Sequence, residues 1–348
     1  MRVLVTGGTG FVGAHSAAAL IAAGHDVRLL VRSPDRIGPA LRPLGVSTAV
    51  DHTVGDVTDL DSVERALRGC DAVLHAAAVY SLDARARPAI ARTNAAGAET
   101  VLRAAVDAGC DPVVHVSSTA ALLRRRATVT ADSPLSSTPG PYIRSKAASE
   151  AVARRLQDAG APLVIVQPGA VLGPDDPYCG DQARRLRDIL RGRYPVWPSG
   201  GLQVVDVRDV ARVHAAVITP RSGPRRYLVP GHFVDGDTMF ATLRALTGRR
   251  LPSLIVSSAA MLPLSWTMST LQRVTPFHLP VDHEGVVFVH SDTRCDDSRA
   301  RGELGIQPRP LSDTYRDTIR WLHRTGRLTA RQAGHATGVE HTPSVSRS

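Results

Sequence analysis

Short apolar runs alternate along the first half of the chain with longer segments in which apolar residues recur at helical spacing. Apolar runs bounded by glycine or polar residues predict buried strands, and the intervening segments predict helices. Strands that are apolar throughout and alternate with helices are typical of a parallel sheet covered on both faces. The pattern therefore predicts an α/β fold built on a doubly wound parallel sheet. The predicted strands are 2–7, 25–32, 71–78, 112–118 and 162–169, and the predicted helices among them include 11–23, 88–108 and 142–159.

The pattern changes after residue 169. Residues 173–181 predict a loop, and 204–218 predict a strand that continues into a helix of the α/β core. We expect the rest to form a smaller, mostly helical C-terminal lobe that binds the substrate, with helices at 184–191, 237–247, 258–273 and 311–325. The predicted domains are an α/β domain over 1–167 and 203–229, a substrate-binding lobe over 168–202 and 230–327, and a disordered polar tail over 328–348.

Composition narrows the class of protein. The chain has 348 residues and a formal net charge of +10, but its arginines are scattered and only 4% of its residues are aromatic, too few for base-stacking platforms. We therefore expect no nucleic-acid partner. Four widely spaced cysteines predict neither a metal site nor a disulfide framework. The apolar run at 259–266 is short and contains Pro263, so we expect no integral membrane segment. The first strand pattern starts at Arg2 without a signal peptide before it, which favours a cytoplasmic protein.

A glycine-rich loop joins the first predicted strand to the first predicted helix. Gly7, Gly10 and Gly13 in TGGTGFVG have the spacing of a dinucleotide-binding loop. Glycines let the backbone turn tightly and approach a pyrophosphate, which then rests against the helix N-terminus. The α/β domain is therefore predicted to be a Rossmann domain that binds a nicotinamide dinucleotide.

The end of the second strand carries the residues that select the cofactor. An acidic residue there would bind the ribose 2′-hydroxyl of NAD, but the sequence reads Leu30-Val31-Arg32-Ser33, with Arg36 close behind. Arginine pairs well with phosphate oxygens, so these residues favour the 2′-phosphate of NADP(H), with NAD(H) still possible. Asp56 and Val57 are placed to meet the adenine.

Lys146 is the only lysine among the 42 lysines and arginines of the chain. Lysine is a compact point charge, whereas arginine presents a wide planar fork, so a position that kept lysine is a candidate for chemistry that arginine cannot perform. Tyr142 stands four residues earlier, and residues at this spacing share one face of a helix. A neighbouring ammonium group favours the phenolate, so we expect the pKa of Tyr142 to be lowered.

These motifs occur in one order that resembles the extended short-chain dehydrogenase/reductase family. The glycine loop, Gly55-Asp56-Val57, the Ser117-Ser118 pair, Tyr142-x-x-x-Lys146 and Gln167-Pro168-Gly169 carry the resemblance over about residues 1–327. The ending VRLLVRSPDR is most similar to the dihydroflavonol 4-reductase and 3β-hydroxysteroid dehydrogenase branch.

The resemblance implies a catalytic triad. Tyr142 would act as general acid/base, Ser118 would orient the substrate oxygen, and Lys146 would also hold the nicotinamide ribose. A homodimer formed through two helices per subunit is common in the family. Further cofactor contacts are implied at Thr9, Phe11, Val12, Ala76, Ala77, Ala78, Pro168 and Gly169.

Hydride transfer between NADP(H) and a ketone, aldehyde or secondary alcohol is the leading hypothesis. The apolar stretch from Met261 to Trp266, with Met268 and Leu271, would line a pocket for a steroid-, terpenoid- or flavonoid-like substrate, or would form ordinary lobe core. An NAD-dependent sugar-nucleotide epimerase or dehydratase is an alternative, against which the missing acidic residue counts. A non-catalytic dinucleotide-binding regulator is a second alternative, but such proteins typically lose the Tyr/Lys pair.

Overall fold

The computed structural model describes residues 1–46, 49–79, 87–221, 223–271 and 283–338. Its strands are β1 (Arg2–Thr6), β2 (Asp26–Val31), β3 (Asp51–Val54), β4 (Ala72–His75), β5 (Val113–Val116), β6 (Thr128–Val129), β7 (Leu163–Pro168), β8 (Ala170–Leu172), β9 (Val196–Pro198), β10 (Gly201–Asp206), β11 (Arg225–Val229), β12 (His232–Asp235), β13 (Leu254–Val256) and β14 (Arg294–Cys295). Its helices are α1 (Phe11–Ala22), α2 (Ile37–Leu41), α3 (Leu60–Leu67), α4 (Arg87–Asp107), α5 (Pro141–Asp158), α6 (Asp181–Leu190), α7 (Val207–Val217), α8 (Gly236–Thr247), α9 (Ser258–Leu271), α10 (His283–Ser291), α11 (Ser298–Leu304), α12 (Leu311–Arg324) and α13 (Ala330–Ala333).

The main sheet has the strand order β11-β7-β5-β4-β1-β2-β3, and every neighbouring pair in it is parallel. Alternate residues of its strands point to opposite faces. Val3 and Val5 pack with α1 and α7 on one face, while Leu4 packs with α3, α4 and α5 on the other. Both faces are therefore buried, which explains the continuous apolar runs and confirms the predicted doubly wound Rossmann sheet.

A second core forms the lobe that follows the sheet. Its apolar residues come from α6, α8 and α12 and include Phe240, Ile319 and Trp321. Two small sheets border it: β8, β10 and β12 form one, and β9 and β13 form the other. The mostly helical C-terminal lobe is thus present, although it also contains these short strands.

The strand predicted within 204–218 is not part of the main sheet. β10 pairs in parallel with β8 and antiparallel with β12, so it belongs to the small sheet. The helix α7 that follows does pack on the α/β core through Val210 and Val213. The strand β10 therefore lies outside the main sheet, but its Val205 packs in the same core as α7, while its Val204 packs in the lobe core.

The predicted disordered tail is ordered over its first part. Thr329 and Gln332 form a capping box at the start of α13, in which the side chain of each accepts a hydrogen bond from the backbone amide of the other. The side chains of Leu328, Ala333 and Ala336 are buried in the lobe core. The prediction of disorder is therefore wrong over 328–338, because small apolar residues between the polar ones reach the core. Residues 339–348 lie outside the described ranges.

Candidate active site

The glycine loop turns tightly between β1 and α1. The Gly10 amide donates to the Gly7 carbonyl oxygen at 2.9 Å. A Cβ on Gly13 would lie 2.1 Å from that oxygen, and a Cβ on Gly7 would lie 2.7 Å from the amide nitrogen of Ala77. No side chain fits at either position, so the backbone itself forms the surface at the start of α1. This surface is the kind of cradle that accepts a pyrophosphate.

One cavity of ≈ 760 Å³ begins at this loop and continues between the sheet and the lobe. Every residue predicted for cofactor binding or catalysis lines it. These residues are Gly7, Thr9, Gly10, Phe11, Val12, Gly13, Arg32, Ser33, Arg36, Asp56, Val57, Ala76, Ala77, Ala78, Ser118, Tyr142, Lys146, Pro168 and Gly169.

The loop after β2 forms one end of the cavity. Arg32 and Arg36 are exposed and Ser33 is half-buried, so both guanidinium groups are accessible to a ligand. Asp56 accepts hydrogen bonds from the Thr58 amide at 2.9 Å and the Thr58 hydroxyl at 2.7 Å. Partial burial opposes ionisation of the Asp56 carboxyl, but these bonds prevail and lower its pKa. Asp56 is therefore an anchored carboxylate, and the charge of Arg32 also lowers its pKa.

The sheet and α5 bring the predicted triad together at the other end. Ser118 follows β5 and caps the next turn, where its Oγ accepts from the Ala120 amide at 3.2 Å. Tyr142 and Lys146 lie one turn apart on α5 and are only 8% and 6% exposed. Ser118 and Tyr142 share a side-chain hydrogen bond. Each member stands at the end of a strand or in the first turns of a helix, where a side chain can face the cleft.

Burial controls the ionisation of this pair. It raises the pKa of Tyr142; the hydrogen bond with Ser118 opposes the rise, and the charge of Glu284 adds to it. Burial lowers the pKa of Lys146 to about 8, against the attraction of Glu150. The expectation of a lowered Tyr142 pKa is therefore wrong, because loss of solvent around the phenol is the dominant effect.

Two stacked histidines occupy the sheet close to Lys146. The His75 and His115 rings lie 5.6 Å apart on β4 and β5, and Thr6 Oγ1 lies 2.8 Å from His75 Nδ1. Burial, together with the charge of Lys146, lowers the pKa of His75 to about 3. His115 has no hydrogen-bond partner for either ring nitrogen within the described ranges. Both rings are therefore neutral core residues, as strand positions predict.

A buried carboxylate behind the triad was not predicted from sequence. Glu150 is fully buried and accepts from Ser117 Oγ at 2.6 Å, from Gln167 Nε2 at 2.7 Å and from Arg154 Nη2 at 2.6 Å. Glu150 stands four residues after Lys146 and thus on the same face of α5. That spacing is the signal by which it could have been found.

The lobe contributes both polar and apolar side chains to the cavity, and Phe288 lies beside Tyr142. α10 contributes Phe288 and Val289, and β8 and β10 contribute Val171 and Leu202. Residues 258–270 of α9 do not line this cavity, and Leu264 and Trp266 there are 57% and 61% exposed. The expectation that this apolar stretch lines the pocket is therefore wrong. Its periodicity identified a helix but could not show which side of the helix would be covered.

The fold and this cavity together define a nicotinamide-dinucleotide enzyme, and comparison with known proteins agrees. Residues 3–229 match the NAD dependent epimerase/dehydratase family. The chain is 30% identical to a candidate dihydroflavonol 4-reductase of Synechocystis sp., covering 92% of this chain and 94% of the relative. It is also 30% identical to a farnesyl-dihydroquinoline-oxide ketoreductase of Stigmatella aurantiaca, covering 92% and 96%. A 3 beta-hydroxysteroid dehydrogenase/isomerase of Mycobacterium tuberculosis is 27% identical, covering 88% and 86%.

Solved structures have the same architecture. The crystal structure of gox2253 superposes with a TM-score of 0.79 at 28% identity, over 94% of this chain and 99% of the other. UDP-glucose 4-epimerase from Bifidobacterium longum, solved with NAD+ and UDP, superposes with a TM-score of 0.73 at 20% identity, over 94% and 99%. The second likeness shows the fold alone.

The chain belongs to the NAD dependent epimerase/dehydratase family, that is, to the extended short-chain dehydrogenases/reductases. It is an NAD(P)-dependent oxidoreductase, and the relatives named as reductases and dehydrogenases confirm the predicted branch. Within the described ranges, no helix is long and apolar enough to cross a membrane. The homodimer stays a prediction.

Proposed function

We propose that this enzyme uses NADP(H) to reduce a ketone or aldehyde on a lipophilic molecule, or to oxidise the corresponding secondary alcohol. The observation that carries the proposal is the single cavity that joins Arg32 and Arg36 at one end to Ser118, Tyr142 and Lys146 at the other. NADP(H) has its 2′-phosphate and its nicotinamide at opposite ends. The two arginines suit the phosphate end, and the three residues of the triad suit the nicotinamide end.

The residues present fit this cofactor. The cradle at Gly7 and Gly13 has no room for a Cβ, and the first turn of α1 faces the cavity. Arg32 and Arg36 offer forks for a phosphate, and the end of β2 between them and the cradle carries no carboxylate. We assign the pyrophosphate to the glycine loop and the 2′-phosphate to Arg32, Ser33 and Arg36.

Proton transfer falls to Tyr142. The bound cofactor supplies or accepts the hydride at the carbon that bears the oxygen. In reduction Tyr142 Oη gives its proton to that oxygen, and the raised pKa keeps it protonated at neutral pH. In oxidation Tyr142 must first lose this proton, and its phenolate then takes the proton of the alcohol. Ser118, hydrogen-bonded to Tyr142, orients the substrate oxygen, and Lys146 places its ammonium group one turn away.

The apolar side of the cavity supports a lipophilic substrate. Phe288 lies with its ring centre 6.4 Å from that of Tyr142, and Val171, Leu202 and Val289 also line the cavity. The ketoreductase relative from Stigmatella aurantiaca is named for a farnesyl-bearing substrate. An apolar wall beside the proton donor suits a carbonyl group attached to a hydrocarbon skeleton. An NAD-dependent sugar-nucleotide epimerase is the alternative. A preference for NADPH or for NADH would distinguish the two functions.

Binding of NADPH and NADH to the purified protein tests the cofactor assignment. Arg32→Ala should weaken the binding of NADPH by about tenfold or more, because the 2′-phosphate loses a charge-assisted contact. The affinity for NADH, which has no 2′-phosphate, should change by no more than about twofold. Arg42→Ala is the matched control, since Arg42 is exposed on the same segment but does not line the cavity. Tighter binding of NADH by the unaltered protein would overturn the NADP assignment and favour the epimerase alternative.

A further inference from the structure

The helix that carries Tyr142 begins without a cap of its own. Gly140 at the N-cap position has no side chain to accept a hydrogen bond, and Pro141 at the first helical position has no N–H to donate. The amide of Ile143, next to Tyr142, instead donates to Glu284 Oε1 at 2.9 Å. Glu284 lies on α10, 141 residues further along the chain, and is buried. A carboxylate from the lobe therefore satisfies the first turn of α5.

The glycine before the helix makes room for this carboxylate. A Cβ on Gly140 would lie 2.4 Å from Glu284 Oε1 and 3.0 Å from its carboxyl carbon. Any other residue at position 140 would displace the Glu284 side chain. Gly140 and Glu284 are thus matched to each other across two elements.

A second residue of α10 lies beside the same tyrosine. Phe288 stands one turn after Glu284, and its ring is tilted by 50° to the Tyr142 ring at 6.4 Å. α10 also lines the substrate side of the cavity through Gly285, Phe288 and Val289. One short helix of the lobe therefore contacts the substrate space and fixes the backbone next to Tyr142.

We propose that Glu284 is a positioning residue, through which the substrate-binding lobe holds the first turn of α5, and with it Tyr142, in place. This inference rests on the proposed function, because it assumes that Tyr142 transfers the proton. It adds a residue from outside the triad.

Glu284→Gln separates the charge of this residue from its hydrogen bond. The amide oxygen can still accept from Ile143, so folding and NADPH affinity should stay within about twofold. The kcat for reduction should likewise stay within about twofold, because the hydrogen bond that holds the first turn of α5 is kept. Glu303→Gln is the control, since Glu303 accepts from Tyr227 at 2.7 Å, away from the cavity lining.

Glu284→Ala tests the positioning itself, with hydrogen exchange of the Ile143 amide as a readout that needs no turnover. We expect this amide to exchange at least about tenfold faster than in Glu284→Gln. We also expect kcat to fall by about tenfold or more while the KM for NADPH is little changed. If the exchange rate of the Ile143 amide and the kcat of Glu284→Ala both match those of the unaltered enzyme, the inference is wrong. If Tyr142→Phe stays active, the proposed function fails instead, whatever Glu284 does.

Discussion

The guanidinium of Arg36 lies 5.8 Å from the ring centre of Tyr178, and this contact joins the loop after β2 to the loop before α6. Both residues line the cavity, and the Tyr178 ring is half exposed. Asp176 holds the second loop in shape by accepting from the amides of Tyr178 and Gly180 at 3.0 and 2.7 Å. The lobe thus contacts the loop assigned to the 2′-phosphate.

Removing the Tyr178 ring should speed the loss of NADPH. Exposed cation–π contacts contribute about 0.5–1 kcal/mol, so Tyr178→Ala should raise the dissociation rate about two- to fivefold. Tyr178→Phe retains the ring and should dissociate like the unaltered protein. Stopped-flow fluorescence of bound NADPH measures both rates. Equal rates in all three proteins would show that the contact does not retain the cofactor.

Tyr142→Phe should abolish turnover and leave cofactor binding intact. The phenol hydroxyl is the assigned proton donor, and general acid/base catalysis contributes about 10²–10⁴-fold, so kcat should fall in that range. NADPH affinity, measured by calorimetry, should stay within about twofold. Tyr315→Phe is the control, because Tyr315 is buried in the lobe core and does not line the cavity. An active Tyr142→Phe enzyme would refute the role assigned to this residue.

Lys146→Met should stabilise the protein while inactivating it. Burial lowers the pKa of Lys146 to about 8, whereas an unfolded chain has a lysine pKa of about 10.4. Between these values the unfolded chain holds a proton that the folded protein lacks, so the stability of the unaltered protein rises with pH across this window. Methionine removes the cost of the buried cation, and we expect a gain of about 1–3 kcal/mol at pH 7.

Urea unfolding at pH 7 and pH 10 measures this difference. The advantage of Lys146→Met should be largest below pH 8, where the buried lysine is protonated, and should shrink by pH 10. An advantage that is constant with pH would instead indicate a packing effect.

Buried histidines should make the protein lose stability in mild acid. Burial lowers the pKa of His75 and of His214 to about 3 and that of His15 to about 4. The unfolded chain binds these protons near pH 6.5, so stability falls as pH drops below that value, by at most about 1.4 kcal/mol per pH unit for each histidine. Free energies of unfolding from pH 7 to pH 5 give the slope.

His75→Gln identifies one contributor to that slope. Glutamine does not titrate in this range, so the variant should lose less stability per pH unit, whatever its stability at pH 7. His52→Gln, at an exposed position, is the control and should leave the slope unchanged. An identical slope in His75→Gln would exclude this histidine as the cause.

The sequence motifs predicted residues at both ends of the cavity because each motif spans only a few neighbouring residues. The cradle is one turn between Gly7 and Gly13, and Tyr142 and Lys146 are one turn apart on α5. Parallel strands then bring their carboxyl ends to one edge of the sheet, so residues that follow strands meet. This is why Ser118 and Gly169 fell into the same cavity as the glycine loop.

The misjudged features depend on contacts distant in sequence. The Tyr142 pKa is set by burial, to which α10 contributes, and no pattern near residue 142 reports on that helix. The outer side of α9 was misjudged for a similar reason: periodicity shows that an element has an apolar face, not which partner covers it. Glu284 has no sequence signal at all.

Because Lys146 is the only lysine of the chain, covalent labelling of its amine can report on the cavity. Reagents that acylate primary amines have one ε-amino group to find in this chain, and that group lines the cavity assigned to the cofactor. Its pKa of about 8 leaves a fraction of it unprotonated and nucleophilic at neutral pH. The rate at which an acylating probe modifies this single side chain would therefore measure how often the cleft is free, without substrate and without turnover.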